Sequence, residues 1–207
     1  MSGIFISMEG PDGSGKSTQI ELLRGYFEKK GYEIIITREP GGTKISEAVR
    51  NVILDRQYTE MDHMTEALLY ASARAQLVAE VIIPALEEGK VVISDRFVDS
   101  SVVYQGIARG LGIEEVYKLN EYATRGILPQ VTIHLDLPAR VGISRKREQA
   151  ELDRMELEAA EFHERVAEGY RTLASLSPDR IHTLDATQPI VKIHEQIVDI
   201  IEKTISK

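Results

Sequence analysis

The segment Gly10–Ser17, GPDGSGKS, carries the clearest chemistry in the chain. Gly10, Gly15, Lys16 and Ser17 fit the pattern G-x-x-x-x-G-K-[ST], with Pro11, Asp12, Gly13 and Ser14 between them and Thr18 just after. Glycines let successive backbone N–H groups turn towards one phosphate. The helix opening behind them adds a favourable dipole. Lys16 brings a mobile positive charge to the transferring phosphate, and Ser17 offers a hydroxyl to Mg²⁺. This chemistry is the binding of a nucleoside triphosphate. It does not by itself separate a kinase from an ATPase or a GTP-driven switch. An N-K-x-D base-reading motif is missing, which weakens the GTPase reading.

Further anion ligands follow other apolar runs. Asp95 and Arg96 come directly after VVIS, where Asp95 would hold Mg²⁺ through water and Arg96 would fork onto a phosphate. The bland alternative is a surface ion pair at a strand end. Arg38 lies in TREPGG, whose proline and glycines make a stiff turn. Tyr70 and Arg74 are four apart in EALLYASARAQL and share one helix face, where a ring beside a guanidinium can stack on a base and bond its edge. A core tyrosine with a surface arginine has the same spacing. Ser101, Tyr104 and Gln105 line one stretch of the next helix. Arg145, Lys146 and Arg147, with Arg154 beyond, make a basic cluster that would close over a triphosphate, or else a solvated charged helix.

Positioning these groups calls for alternating strands and helices. The expected strands are Ile4–Met8, Glu33–Thr37, Val91–Ser94, Val131–Leu135 and Ile181–Leu184. The expected helices are Lys16–Lys30, Glu66–Glu88, Ser100–Ala108, Glu114–Arg125, Ala139–Lys146, Leu157–Ser175 and Ile190–Ser206. That alternation predicts an α/β fold: a parallel sheet of about five strands with helices on both faces, as in P-loop NTPases. Ligands of such sheets sit beyond the carboxyl ends of the strands, where these motifs fall. The 207 residues suit a single domain spanning 1–207, with a lid at about 145–157. A net charge of −8 argues against a nucleic-acid partner and requires any anion site to be built locally. With no cysteine, disulfides and thiolate zinc sites are excluded. No signal peptide or membrane span is read, and a cytoplasmic location is expected.

Together the blocks GPDGSGKST, TREPGGT, LLYASARAQL, SDRF, SSVVYQGIARG, PQVTIHLDL, LDRME, EFHERVAEGY and HTLDATQPI resemble bacterial and archaeal thymidylate kinases, in the family's order and over nearly the whole chain. The resemblance implies ATP-dependent, Mg²⁺-assisted phosphorylation of dTMP to dTDP by a homodimer. It implies that Asp12 takes the sugar 3′-hydroxyl or helps place Mg²⁺, and that Arg38 and Arg96 hold the acceptor phosphate. Tyr70 would stack on thymine in place of the usual phenylalanine, and Arg74 would bond its edge. Ser101, Tyr104 and Gln105 would line the base and sugar pocket. Arg145 and Ala186-Thr187-Gln188 would border adenine. The phosphate loop has no arginine, so the lid is expected to supply the cation: Arg147, with Lys146 as the alternative, in the catalytic role beside Lys16 and Arg96. In the lid pattern R-x-R-x-R-G the last two positions are Gln149 and Ala150 here. The rival readings are a kinase for another nucleoside monophosphate, such as dUMP, and a P-loop ATPase or switch without an acceptor.

Overall fold

The computed structural model describes residues 3–138, 140–142 and 153–205. Five parallel strands form one sheet: β1 (Ile4–Glu9), β2 (Ile34–Arg38), β3 (Val91–Asp95), β4 (Val131–Asp136) and β5 (Ile181–Asp185), in the order β2-β3-β1-β4-β5. The central position of β1 explains its apolar sequence, because both its faces are covered. On one face Ile6, Met8, Ile93 and Ile133 pack against α1 (Lys16–Lys29) through Ile20, Leu23 and Phe27. The terminal helix α8 (Ile190–Ile205) adds Ile193, Ile197 and Ile201 to the same cluster. On the other face Phe5, Val92 and Phe97 meet the helical run His63–Glu87. Each fully buried side chain of this kind contributes about 1.5–3 kcal/mol.

That run is α3 (His63–Leu77), a wider π-type stretch Val78–Ile82 and α4 (Ile83–Glu87). By length and composition alone its 25 residues could cross a membrane, but the run is interrupted by charges that the fold buries. Here Glu66 and Arg74 make buried ion pairs, and Leu77, Val78, Ile82 and Leu86 pack in the core. Between β2 and α3 lies α2 (Lys44–Leu54), which the expected elements omit. Its start is signalled by Thr43, whose hydroxyl accepts from Ser46 N at 3.1 Å. After β3 come a short α5 (Val98–Ser101) and a second π-type stretch, Val102–Ala108, and then α6 (Ile113–Thr124). Helix α7 (Ala160–Leu176) precedes β5. Of the expected helix Ala139–Lys146, only residues 140–142 are described.

His134 illustrates how tightly the sheet centre is filled. It pairs in register with Glu9 of β1, stacks on Tyr170 with ring centroids 4.8 Å apart and contacts Thr183 Oγ1 through Nδ1 at 3.1 Å. Burial pushes its pKa down from 6.5 to about 4, only partly offset by Asp136. Between these two pH values the unfolded chain binds a proton that the folded chain refuses, so folding stability is lost as pH falls. His134→Phe is expected to remove about 3 kcal/mol of this acid sensitivity. Denaturant titrations from neutral to acid pH test it; parallel profiles for the two proteins would contradict it.

Candidate active site

At the carboxyl ends of β1, β2 and β3 the chain encloses a cavity of about 390 Å³. Its floor is the phosphate loop. Gly10, Gly13 and Gly15 take φ of 133°, 74° and 94°, values open to glycine but costly for other residues. At Gly10 a Cβ would also lie 2.5 Å from the Leu135 carbonyl oxygen. Gly15 caps α1 without a side chain, so no side-chain cap covers the first N–H groups of the helix. Ser17 and Thr18 are exposed in the cavity mouth. Lys16 is buried, and its Nζ donates to the carbonyls of Gly10 and Pro11, each at 3.1 Å. Burial, and next Arg96, push its pKa down. Ser14 lies buried beneath the loop.

The loop is braced from the foot of the expected lid. A Cβ on Gly142 would fall well inside van der Waals contact with the Asp12 backbone carbonyl. Gly142→Ala is therefore expected to shift the loop and raise the KM for ATP about tenfold, equivalent to ~1.4 kcal/mol of overpacking. An unchanged KM would show that the brace is slack.

Arg96 sits at the end of β3 with a left-handed φ of 70°. This unusual backbone turns its guanidinium back across the sheet top. Nη2 donates to Asp12 Oδ1 at 3.0 Å, and Nη1 to Tyr170 Oη at 3.1 Å and Ser100 Oγ at 3.3 Å. Behind it the buried Glu9 accepts from Ser7, Phe97 N, Ser100 and Tyr170 at 2.5–3.0 Å. Arg96 is thus held in a fixed frame, between buried hydroxyls on one side and the partly exposed Asp12 carboxylate on the other. Its charge faces the cavity beside the Tyr104 ring, 5.3 Å from the centroid.

Arg74 departs further from the bland reading. It is 1% exposed. Nε and Nη2 grip Glu39 Oε2, the former at 2.8 Å, and Nη1 reaches Ser101 Oγ at 3.1 Å and Asn120 Oδ1. Burial nevertheless pushes the Glu39 carboxyl up to about 7, against the pull of Arg74. Tyr70, Tyr104 and Gln105 complete this end of the cavity. Arg38 stands at its rim, half exposed, with both Glu47 oxygens 3.0 Å from Nη2.

Asp95 Oδ1 is buried without a hydrogen-bond partner and shares the cavity with the Ser17 hydroxyl. Such a set suits Mg²⁺, a hard ion that takes a few protein oxygens and completes its shell with water and phosphate. Among the described residues no cluster of three or more His, Cys, Asp or Glu side chains could hold a metal by itself.

Several cavity residues escaped the sequence reading: Arg50, Leu54, Glu39, Asp153, Met155 and Glu156. The last three belong to a reciprocal turn. Asp153 Oδ1 accepts from Met155 N and Glu156 N at 2.9 and 3.0 Å, and Glu156 Oε2 accepts from Asp153 N at 2.8 Å. Its D-x-x-E spacing was the available signal. Arg154 points away and pairs with buried Glu66 at 2.6 Å, a structural role. Ala186, Thr187 and Gln188 lie outside this cavity at the end of β5, where the Asp185 carboxylate holds Thr187 N at 2.9 Å. Arg145, Lys146, Arg147, Gln149 and Ala150 lie outside the described residues.

A sequence model described as thymidylate kinase matches residues 8–197. The chain belongs to the thymidylate kinase family. Curated members are similar along most of their length. The thymidylate kinase of Thermoanaerobacter sp. is 53% identical over 203 residues, covering 98% of this chain and 99% of that protein. That of Geobacillus thermodenitrificans is 50% identical over 200 residues, covering 96% and 89%. Among solved structures, the thymidylate kinase of Ehrlichia chaffeensis superposes with a TM-score of 0.78 at 30% identity, covering 98% of this chain and 99% of that one. The P-loop nucleoside monophosphate kinase fold and phosphotransferase class of the family are therefore those of this chain.

Proposed function

We propose that the protein transfers the γ-phosphoryl group of ATP to dTMP, giving ADP and dTDP in the supply of dTTP. The observation that carries this reading is that phosphate-loop groups (Lys16, Ser17) and acceptor groups (Arg96, Arg74, Tyr70) line the same cavity. A switch or ATPase has no use for the second set. An acceptor phosphate ionised at neutral pH needs no strong general base. Catalysis then consists of alignment and neutralisation of charge. The loop amides and Lys16 hold the triphosphate and meet charge on the transferring group. Arg96, framed by Glu9, Ser100 and Tyr170, fixes the acceptor phosphate, and Arg38 closes on it from the rim. Tyr70 stacks on thymine, while Arg74 and Gln105 face its edge. Tyr104 crowds a ribose 2′-hydroxyl, and Asp12 takes the 3′-hydroxyl.

Mg²⁺ held by Ser17 and, through water, by Asp95 would screen the phosphate charges. Arg147 is assigned the lid cation and Arg145 the adenine contact. Gln188, whose Oε1 is buried without a partner, supports an adenine border at Ala186–Gln188. A cytoplasmic homodimer completes the reading. Exposed Met64 and Leu68 on α3 supply apolar surface for the dimer, and the absence of cysteine suits a reducing compartment. Steady-state comparison of dTMP, dUMP, UMP, dCMP and dGMP tests the acceptor. The reading requires the highest kcat/KM for dTMP, with only a modest margin over dUMP, since one methyl in an apolar pocket is worth about 1–3 kcal/mol. A clear preference for another acceptor would replace it.

A further inference from the structure

Gln105 is 1% exposed and lines the acceptor end of the cavity. Its Nε2 donates to Glu66 Oε1 at 3.0 Å, while its Oε1 is buried with no partner. A primary amide can face either way, and nothing within Gln105 chooses between its two ends. Glu66 does choose. An ionised carboxylate only accepts, so it takes the NH₂ end and leaves the carbonyl oxygen to the cavity.

Glu66 keeps its charge although fully buried. Arg109 holds it through Nε at 3.2 Å and Nη2 at 3.1 Å, and Arg154 adds Nη2 at 2.6 Å. Burial pushes the carboxyl pKa up, but these bonds outweigh burial and hold it below its ordinary value. The two arginines are anchored in turn: Arg109 on Glu158 at 2.6 Å and Arg154 on the Ile53 carbonyl at 2.8 Å. The carboxylate therefore has a fixed position and an acceptor-only character.

We propose that Glu66 is a positioning residue that sets base selectivity: through Gln105 it presents the nucleobase with an acceptor that cannot turn over. A pyrimidine with a ring N–H at that edge, thymine or uracil, satisfies the acceptor. Cytosine places a ring acceptor there and leaves two lone pairs facing each other. The inference rests on the reading of this cavity as the dTMP site.

The test measures kcat/KM for dTMP, dUMP and dCMP with wild type and Glu66→Gln. A glutamine at 66 can donate or accept, so the Gln105 amide is released to turn. The dTMP/dCMP preference is expected to fall at least about tenfold, chiefly through KM, from a starting preference on the order of 10⁴. The dTMP/dUMP ratio should stay unchanged, because both bases carry the ring N–H. A merely structural Glu66 would lower all three substrates together; unchanged ratios, or equal movement of both, overturn the inference. Should the single variant fail to fold, Glu66→Gln/Arg154→Met removes the stranded buried cation and carries the same expectation. A wild type that phosphorylates dTMP while the ratios stay fixed refutes this inference alone. A wild type inactive on dTMP overturns the underlying reading as well.

Discussion

Lys16→Met should lower phosphoryl-transfer turnover by at least about 100-fold, the scale of losing one preorganised charge contact to the transition state. The side chain is 7% exposed and anchored on two loop carbonyls at 3.1 Å. Replacing it with an apolar chain of similar length removes the charge while keeping the volume. Burial already disfavours that charge, so stability should be kept or slightly raised. Activity and folding are thereby separated. The combination that supports the assignment is a thermal midpoint at or above wild type with turnover reduced by two orders of magnitude. A near-normal kcat would mean that Lys16 only shapes the loop.

The second large effect is on stability. Arg74→Met should cost about 3–5 kcal/mol, because it leaves Glu39 as a buried carboxyl without its partner. Ser101 and Asn120 lose a donor at the same time. The cost should depend on pH. With Arg74 present, burial already holds the Glu39 pKa up at about 7. Without Arg74 it rises further, so the folded variant keeps a proton that the unfolded chain releases. A group whose folded pKa is raised loses its contribution as pH increases. Denaturant unfolding should therefore show a larger deficit above neutral pH than in mild acid. A deficit below 1 kcal/mol or one that grows in acid would contradict the buried ion pair.

Much of this arrangement was legible in the residues. The phosphate loop announced itself because four fixed positions sit between an apolar run and a helix, a context that leaves the backbone little choice. The strands were found to within about a residue because β-branched runs end abruptly at polar groups. Other features depend on distant partners and so left no local mark. Spacing put Tyr70 and Arg74 on one face, but only the fold shows that Arg74 is buried against Glu39, thirty-five residues away. Glu66 reads as an ordinary helix-start acid; its burial by Arg109 and Arg154 is a tertiary event. Helix α2 is absent from the expected elements because Pro40-Gly41-Gly42 reads as a turn, although Thr43 and the apolar spacing of Ile45, Val49, Val52 and Ile53 mark a helix just after it.

Product analysis tests the central claim most directly. The protein is incubated with Mg²⁺ and ATP, with and without dTMP, and ADP, inorganic phosphate and dTDP are resolved by phosphorus NMR. A site that holds donor and acceptor in one cavity predicts one dTDP for each ADP, and almost no ADP or inorganic phosphate when dTMP is withheld. ADP and inorganic phosphate formed at the same rate with or without dTMP, and no dTDP, would contradict it.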